Sequence, residues 1–521
     1  MDKENEIKKR IKLVRNLLGS LLLLSSFGLF AQGVDEQYAL NGNRPASLSA
    51  RPRYVFVFIG DGMSYPQVQS AADYLGKDAN GIVDKVKASS NPVDSPKPGT
   101  LSFSSFPVAG SAQTYDATSF APDSASTATS IFTGYKTHSS SINVDITKKI
   151  PYRTIAEQLR DQKQWKIGVV SSVNLNHATP AATYAHQASR KSNYPIGLEL
   201  VKSDFDYFAG GALMEPKDKK GDKESIYDIA KRSGYTVCFT QKDASALKEG
   251  DKAIVIAETL ADSGAFSYEE DRKAGEWALS DYVKKGIEVL DNPDGFFMMV
   301  EGGKIDWACH ANDARSTIAD TIALSDAVAE AVKFQQGHPN DTLILVTADH
   351  ETGGLTIGYA GTDYNLFFRT LDNQTISYAK FDSDYVSRYK KDKTSFEDVM
   401  ADVEKLFGLK KPGNAGSDKD GGLVLTDYEY GRIRTAYEKT MSGNKNRTQE
   451  AYELYGTYEP LTVTLTHVLN HKSGIGFTSY SHTGLPVPVF AQGPGQQLFA
   501  GYYDNTDIYK KLASLTDVRE D

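Results

Sequence analysis

The chain has 521 residues, of which 40% are hydrophobic and 11% aromatic, so it can bury a large core as one large domain or two smaller ones. Its formal charge of -9 argues against a nucleic-acid-binding role and confines any affinity for phosphate to a local site. The only cysteines, Cys238 and Cys309, exclude a disulfide framework but leave a single bond between them open.

Residues 1–33 have the pattern of a secretory signal peptide. Basic residues precede an apolar run from Leu17 to Phe30, and small residues follow it. The run is shorter than the ~20 residues that span a bilayer, so no stable membrane anchor is expected after signal cleavage. The sequence predicts an exported protein, periplasmic or secreted, with a linker over residues 34–50 and a catalytic domain over residues 51–521.

Near-continuous apolar runs predict parallel strands that are buried on both faces. They cover residues 54–60, 166–172, 296–302 and 342–349. The fold class expected is therefore α/β, with a central, mostly parallel sheet flanked by helices, one of them over about 313–335. Ligands in such sheets gather at the carboxyl ends of the strands, where Asp61, Glu301 and Asp349 stand.

Ser124 lies in the segment PDSASTAT, among small residues. A helix that begins here would offer backbone N–H groups and a favourable dipole to a phosphate, and the small side chains would allow close approach. Taken alone, the segment is equally compatible with an ordinary helix cap in a serine-rich loop.

Aspartate and histidine recur with the spacing of metal ligands. Asp306 and His310 are four residues apart in IDWACH, so a helix or turn would place both on one side. There they could bind one zinc ion, with His482 arriving from a distant segment. Asp349 and His350 form a second pair at a predicted strand end.

Residues 360–470 have a different pattern and predict a helical insert in the catalytic domain, placed near the active site or at a subunit contact. An amphipathic helix is expected between a cap at Thr394 or Ser395 and a stop at Gly408. Thr426 and Glu429 are expected to open a second helix.

Taken together and in this order, these segments resemble the alkaline phosphatase family, from about Tyr54 to Phe499 with one long insert. The resemblance implies metal-dependent hydrolysis of phosphate monoesters through a covalent phosphoserine on Ser124. It also implies that Arg190, in NHATPAATYAHQASRK, binds phosphate together with Ser124. Sulfatases of the same superfamily need Pro and then Arg after the modified residue, which Ala125 and Ser126 do not provide.

The resemblance further implies two Zn²⁺ ions and one Mg²⁺ ion. Their ligands would be Asp306, His310 and His482 for the first zinc, Asp61, Asp349, His350 and Ser124 for the second, and Asp61, Thr179 and Glu301 for the magnesium. Two supporting positions depart from other family members. His177 replaces an Asp, and Trp307 replaces a Lys or His, which affects magnesium occupancy and phosphate affinity rather than the reaction.

Two alternatives are open at this point. One is a phosphodiesterase of the same superfamily, which Arg190 disfavours because a diester has one fewer charged oxygen. The other is an exported phosphate- or metal-binding protein without activity. The expected partners are small-molecule phosphate monoesters, with a homodimer also open, and the physiological substrate is not specified.

Overall fold

The computed structural model describes residues 51–76, 97–363, 365–413, 422–443 and 448–519. The predicted signal peptide and linker lie outside these residues and stay predictions. The strands are β1 (Tyr54–Gly60), β2 (Val108–Gln113), β3 (Lys166–Asn174), β4 (Tyr207–Gly211), β5 (Thr236–Cys238), β6 (Ala253–Ile256), β7 (Phe296–Gly302), β8 (Thr342–Ala348), β9 (Glu351–Thr352), β10 (Thr356–Ile357), β11 (Ile475–Gly476), β12 (His482–Thr483), β13 (Val487–Gln492) and β14 (Gly501–Asp504).

The α-helices are α1 (Tyr65–Leu75), α2 (Ser124–Thr133), α3 (Ile155–Lys163), α4 (Ala178–Ala181), α5 (Asn193–Lys202), α6 (Ile226–Arg232), α7 (Gln241–Ser245), α8 (Leu279–Leu290), α9 (Lys304–His310), α10 (Ala314–Gly337), α11 (Tyr378–Lys380), α12 (Ser387–Asp392), α13 (Phe396–Phe407), α14 (Asp427–Ser442), α15 (Gln449–Tyr455), α16 (Pro460–Ser473) and α17 (Thr506–Thr516). A π-helical stretch (Phe381–Val386) joins α11 to α12, and short 3-10 turns cover Asp262–Gly264, Glu269–Asp271, Ala360–Thr362, Phe368–Asn373 and Gln496–Phe499.

A ten-stranded sheet forms the centre, in the order β14-β2-β13-β8-β1-β7-β3-β4-β6-β5. Its paired neighbours are parallel except where β13 meets β2 and β8, to which it is antiparallel. Every residue of β1, β7 and β8 is buried, because helices cover both faces. The predicted α/β class and mostly parallel sheet are confirmed.

The predicted strands agree closely with the observed ones. The run at 54–60 is β1 and the run at 296–302 is β7, whereas β3 extends two residues beyond the predicted end. The predicted helix over about 313–335 is α10, and Asp313 caps it by accepting a hydrogen bond from the Ser316 amide. Long apolar runs and caps are local signals, which explains why the sequence places them well.

Between β10 and β11 the described residues are helical rather than extended, apart from an isolated bridge between Lys410 and Val424. Helix α13 begins after the cap Ser395 and ends at Gly408, whose φ of 69° suits a residue without a side chain. Helix α14 opens with the capping box of Thr426 and Glu429. Both predicted insert helices are present, whereas the role of this segment stays a prediction.

Cys238 and Cys309 are buried free thiols, so the bond that the sequence left open does not form. The Cys309 sulfur faces Thr317 Oγ1 at 3.5 Å and Gln67 Nε2 at 3.7 Å. Within the described residues, no helix has the length and hydropathy that crossing a membrane requires.

Candidate active site

Three carboxylates meet at the carboxyl edge of the sheet because their strands are neighbours in register. Ile59 of β1 pairs with Glu301 of β7 on one side and with Thr347 of β8 on the other. Asp61 and Asp349 directly follow the ends of β1 and β8. All three carboxylates are fully buried, so their charges require compensation inside the protein.

A first group of candidate metal ligands combines helix α9 with strand β12. Asp306 Oδ1 lies 3.4 Å from His310 Nε2 and 3.6 Å from His482 Nε2. The two Nε2 atoms are 3.1 Å apart. His310 Nδ1 lies 2.6 Å from the Tyr480 carbonyl oxygen, and His482 Nδ1 lies 2.6 Å from the Pro122 carbonyl oxygen. Because a carbonyl oxygen can only accept, Nδ1 carries the proton in both rings and donates it. The Nε2 lone pairs therefore converge on the Asp306 carboxylate, which suits a cation.

A second group surrounds His350. Its Nε2 lies 3.3 Å from Asp349 Oδ2, 3.5 Å from Asp61 Oδ1 and 3.1 Å from Ser124 Oγ. Burial and the charge of Asp306 raise the pKa of Asp349 to about 8, and burial together with Asp349 raises the pKa of Asp61 well above its usual value. Burial lowers the pKa of His350 and keeps the ring neutral. The carboxylates repel one another, and a cation between them would relieve that repulsion.

A third group shares Asp61 and adds Glu301 and His177, whose ligand atoms lie within 4.8 Å of one another. Thr179 Oγ1 is 3.4 Å from Asp61 Oδ2, and Ser171 Oγ donates to Glu301 Oε2. Burial raises the pKa of Glu301 to about 7, against the effect of that hydrogen bond. The structure thus brings the predicted magnesium ligands together and places His177 among them.

The nucleophile candidate is the first residue of α2. Asp123 caps this helix by accepting from the Ser126 amide, and the same carboxylate accepts from the Ser140 amide at 2.8 Å. Arg190 Nη1 lies 3.0 Å from Asp123 Oδ2. Burial alone would raise the pKa of Asp123, but Arg190 and these hydrogen bonds lower it, so the carboxylate stays ionised. One residue therefore positions both Ser124 and Arg190.

The two positions that depart from the family pattern face each other. The rings of His177 and Trp307 are 5.9 Å apart and nearly perpendicular, and His177 Nε2 lies 3.1 Å from Arg190 Nη2. The buried ammonium of Lys304 lies 4.9 Å from the centre of a Trp307 ring and pairs with Asp262. Lys304 and Trp307 are three residues apart on α9, so the helix itself places this cation beside the indole.

Every predicted ligand and phosphate-binding residue lies in this one cluster. Sequence reasoning missed Ser171, which contacts Glu301, and Thr352, whose Oγ1 lies 2.6 Å from Asp306 Oδ1. It also gave Asp123 no role beyond its place before Ser124. The available signal was weak: Ser171 is a polar residue near the end of a buried strand, and Thr352 follows His350 by two positions.

The family model for alkaline phosphatase matches residues 52–518. The chain belongs to the alkaline phosphatase family. Alkaline phosphatase 4 of Bacillus subtilis (strain 168) is 28% identical over 514 residues, which cover 96% of this chain and 97% of that protein. The fold is similar to that of the cold-active alkaline phosphatase of Shewanella sp., with a TM-score of 0.70 and 27% identity over 89% of this chain and 99% of the other.

A third similarity is to a variant of the TAB5 alkaline phosphatase, from an Antarctic bacterium, whose structure contains Mg. Its TM-score is 0.59 at 24% identity, over 90% of this chain and 99% of the other, so the likeness concerns the fold. Membership of the alkaline phosphatase family, the shared fold and the clustered ligands support phosphatase-type hydrolysis and metal binding.

Proposed function

We propose that this alkaline phosphatase homologue hydrolyses phosphate monoesters through a covalent phosphoserine on Ser124. The proposal is carried by one observation: Ser124 Oγ lies 3.1 Å from His350 Nε2, in the second ligand group, while Arg190 is bound to the cap of the same helix. A nucleophile needs both an activating environment and a group that holds the electrophile beside it.

The buried residues fit the expected metal ions. Several of their polar atoms have no hydrogen-bond partner among the described residues, although a buried carboxylate normally has one. These atoms are Asp61 Oδ1, Glu301 Oε1 and Asp349 Oδ2. Carboxylate oxygens and imidazole nitrogens are zinc ligands, and a set dominated by oxygen suits magnesium.

One Zn²⁺ would be held by Asp306, His310 and His482, a second by Asp61, Asp349, His350 and Ser124, and Mg²⁺ by Asp61, Thr179 and Glu301, with His177 close by. When bound, such ions neutralise charge on the phosphoryl group and lower the pKa of coordinated oxygens.

Arg190 would hold the substrate's phosphoryl group. A guanidinium has five N–H donors in a rigid fork, and contacts with Asp123 and His177 engage two of its nitrogens. The remaining N–H groups suit two oxygens of one phosphate. Because Asp123 also caps α2, the phosphate would be presented to the Ser124 hydroxyl.

In the reaction, the Ser124 hydroxyl gives up its proton and Oγ forms a bond to phosphorus as the bond to the leaving oxygen breaks, and the leaving oxygen takes up a proton and departs as the alcohol. Water then cleaves the phosphoserine, which releases inorganic phosphate and restores the hydroxyl. The N–H groups at the start of α2 and the Arg190 guanidinium stabilise the same phosphate in both steps.

The test compares an aryl phosphate monoester with the matching diester, using protein loaded with zinc and magnesium. We expect the monoester to be hydrolysed much faster, because a diester has one fewer charged oxygen for Arg190. Arg190→Ala should lower kcat/KM for the monoester by about 100-fold or more, since a charge-assisted bidentate contact is lost.

The matched control is Arg232→Ala, which removes an exposed guanidinium paired with Glu224. This variant should keep native kinetics. Preference for the diester would support the phosphodiesterase alternative, and no turnover of either substrate by the loaded protein would support the binding-protein alternative.

A further inference from the structure

We infer that Thr352 is a positioning residue that fixes Asp306 and His350, one ligand from each candidate zinc group, in a single relative orientation. The inference rests on the proposed function, because it concerns the same site. Thr352 is fully buried and contacts no substrate-binding residue assigned above.

The hydroxyl of Thr352 bridges the two ligands. Oγ1 lies 2.6 Å from Asp306 Oδ1 and 3.3 Å from His350 Nδ1. A hydroxyl has one hydrogen and two lone pairs, and an ionised carboxylate can only accept. Thr352 therefore donates to Asp306 and accepts from His350 Nδ1–H.

This direction of hydrogen bonding selects one tautomer of His350. With the proton on Nδ1, the lone pair is on Nε2, the atom that faces Asp61, Asp349 and Ser124. A metal ligand needs that free lone pair, and partners behind ligating histidines fix both the ring and the tautomer. Thr352 would perform this task for His350 and hold the Asp306 carboxylate with the same oxygen.

The backbone around Thr352 leaves its hydroxyl little freedom. Strand β9 pairs with β12, which places Thr352 opposite His482, and the Thr352 amide donates to the Gly62 carbonyl at 3.2 Å. A Cβ on Gly62 would lie 2.8 Å from Thr352 Oγ1 and 3.0 Å from the Asp306 Cα. The glycine after Asp61 thus allows Thr352 to approach Asp306.

Glu351, the other residue of β9, also contributes to the pairing of β9 with β12. Its carboxylate accepts from Gln67 Nε2 at 2.8 Å and from the Thr483 hydroxyl. These contacts hold the paired strands β9 and β12 together, and the Thr352 hydroxyl on β9 reaches Asp306 of the first group and His350 of the second.

The experiment measures metal binding directly. Full-length native protein, Thr352→Val and Thr352→Ser are stripped with a chelator, and Zn²⁺ is titrated in competition with a chromophoric chelator. Thr352→Val keeps the shape but removes the hydroxyl, and it should weaken zinc binding by about 10- to 100-fold. Thr352→Ser restores the hydroxyl and should bind zinc nearly as the native protein does.

Cobalt provides a spectroscopic readout. The visible absorption of the Co²⁺-loaded protein should change in Thr352→Val and not in Thr352→Ser, because ligand orientation differs. The matched control is Thr347→Val, since this threonine is equally buried but donates to the Pro488 carbonyl at 2.8 Å. Its zinc affinity and cobalt spectrum should be native. If Thr352→Val does not fold, as judged by circular dichroism, Thr352→Ala carries the same expectation.

The outcomes separate this inference from the proposed function. Native zinc affinity and an unchanged cobalt spectrum in Thr352→Val, alongside native phosphatase activity, would overturn the positioning role and leave the proposed function standing. Weakened zinc binding that serine restores would support the role even if the native protein hydrolysed no phosphate ester. A native protein that binds no zinc would overturn the inference.

Discussion

Arg190 Nη1 lies 3.0 Å from Oδ2 of Asp123, the residue that caps the helix on which Ser124 stands. The candidate phosphate ligand and the candidate nucleophile are therefore held by one carboxylate. The Asp123 carboxylate thus sets the position of the guanidinium relative to the start of α2.

Replacing the nucleophile should separate chemistry from binding. Ser124→Ala removes the oxygen that would carry the phosphoryl group, and turnover should fall by about a thousandfold or more while zinc still binds. Acid quench with labelled substrate should trap phosphate on the native protein alone. The control Ser130→Ala removes a hydroxyl that donates to the Ser126 carbonyl within the same helix and should leave turnover near native. Label trapped on the Ser124→Ala protein would show that another residue is the nucleophile.

Removing the metals should lower both activity and stability. The candidate ligands come from segments between Asp61 and His482, so metal binding contributes to the free energy of unfolding. Zinc at about a thousand times its Kd would contribute about 4 kcal/mol. Chelation should abolish hydrolysis and lower Tm in calorimetry, and zinc with magnesium should restore both better than either alone. Full activity after exhaustive chelation would contradict the metal assignment.

His186 should make stability depend on pH. Burial lowers its pKa, but Glu157 and Glu199, at 3.4 and 3.7 Å, outweigh burial and raise the pKa to about 9. Because this value exceeds the unfolded value of about 6.5, the stabilisation is complete below pH 6.5 and is lost as the pH rises through 9.

The pH-dependent part of this stabilisation is at most about 3 kcal/mol. His186→Gln should therefore be less stable than the native protein at pH 6, with the difference shrinking by pH 10, as measured by urea unfolding. Arg190 lies four residues after His186, so the inhibition constant of inorganic phosphate in the variant reports whether the substitution displaces Arg190. A stability difference that is constant from pH 6 to 10 would show that folding does not raise the pKa of His186.

Trp307 and His177 should determine how tightly phosphate binds. An indole has one N–H donor and no charge, whereas the family resemblance implies Lys or His at this position in other members. The double variant His177→Asp, Trp307→Lys should tighten competitive inhibition by inorganic phosphate and lower kcat if product release limits turnover. Trp307→Phe keeps an aromatic ring over Lys304 without adding charge, and should not tighten inhibition. Unchanged inhibition in the double variant would leave Trp307 as a packing residue.

The sequence predicted the parts of this fold that depend on local signals. The run from Tyr54 to Gly60 is apolar throughout because both faces of the strand are covered, and its end locates Asp61 without further information. Asp306 and His310 could be placed together because helical periodicity joins residues four apart. The family resemblance then supplied His482, which no local spacing connects to them.

What the sequence could not show are contacts between distant side chains. That Thr352 approaches Asp306 depends on the pairing of β9 with β12 and on the missing side chain at Gly62. The burial of the Lys304 ammonium beside Asp262 depends on how α9 packs, and the basic residue itself carries no pattern that predicts burial. Such contacts follow from the tertiary structure and not from neighbours in the chain.

The antiparallel direction of β13 determines where the last ligand can lie. In register with β8, Phe490 pairs with Val346 and Gln492 with Ile344, so β13 begins at the edge of the sheet where β8 ends. His482 precedes β13 by five residues and is thereby delivered to the same edge as Asp349. Had β13 run parallel to β8, the chain before it would have emerged at the opposite edge, a strand length away from the other ligands. Because β13 is antiparallel to β8, His482 can join the cluster of candidate metal ligands whose first member along the chain, Asp61, follows β1.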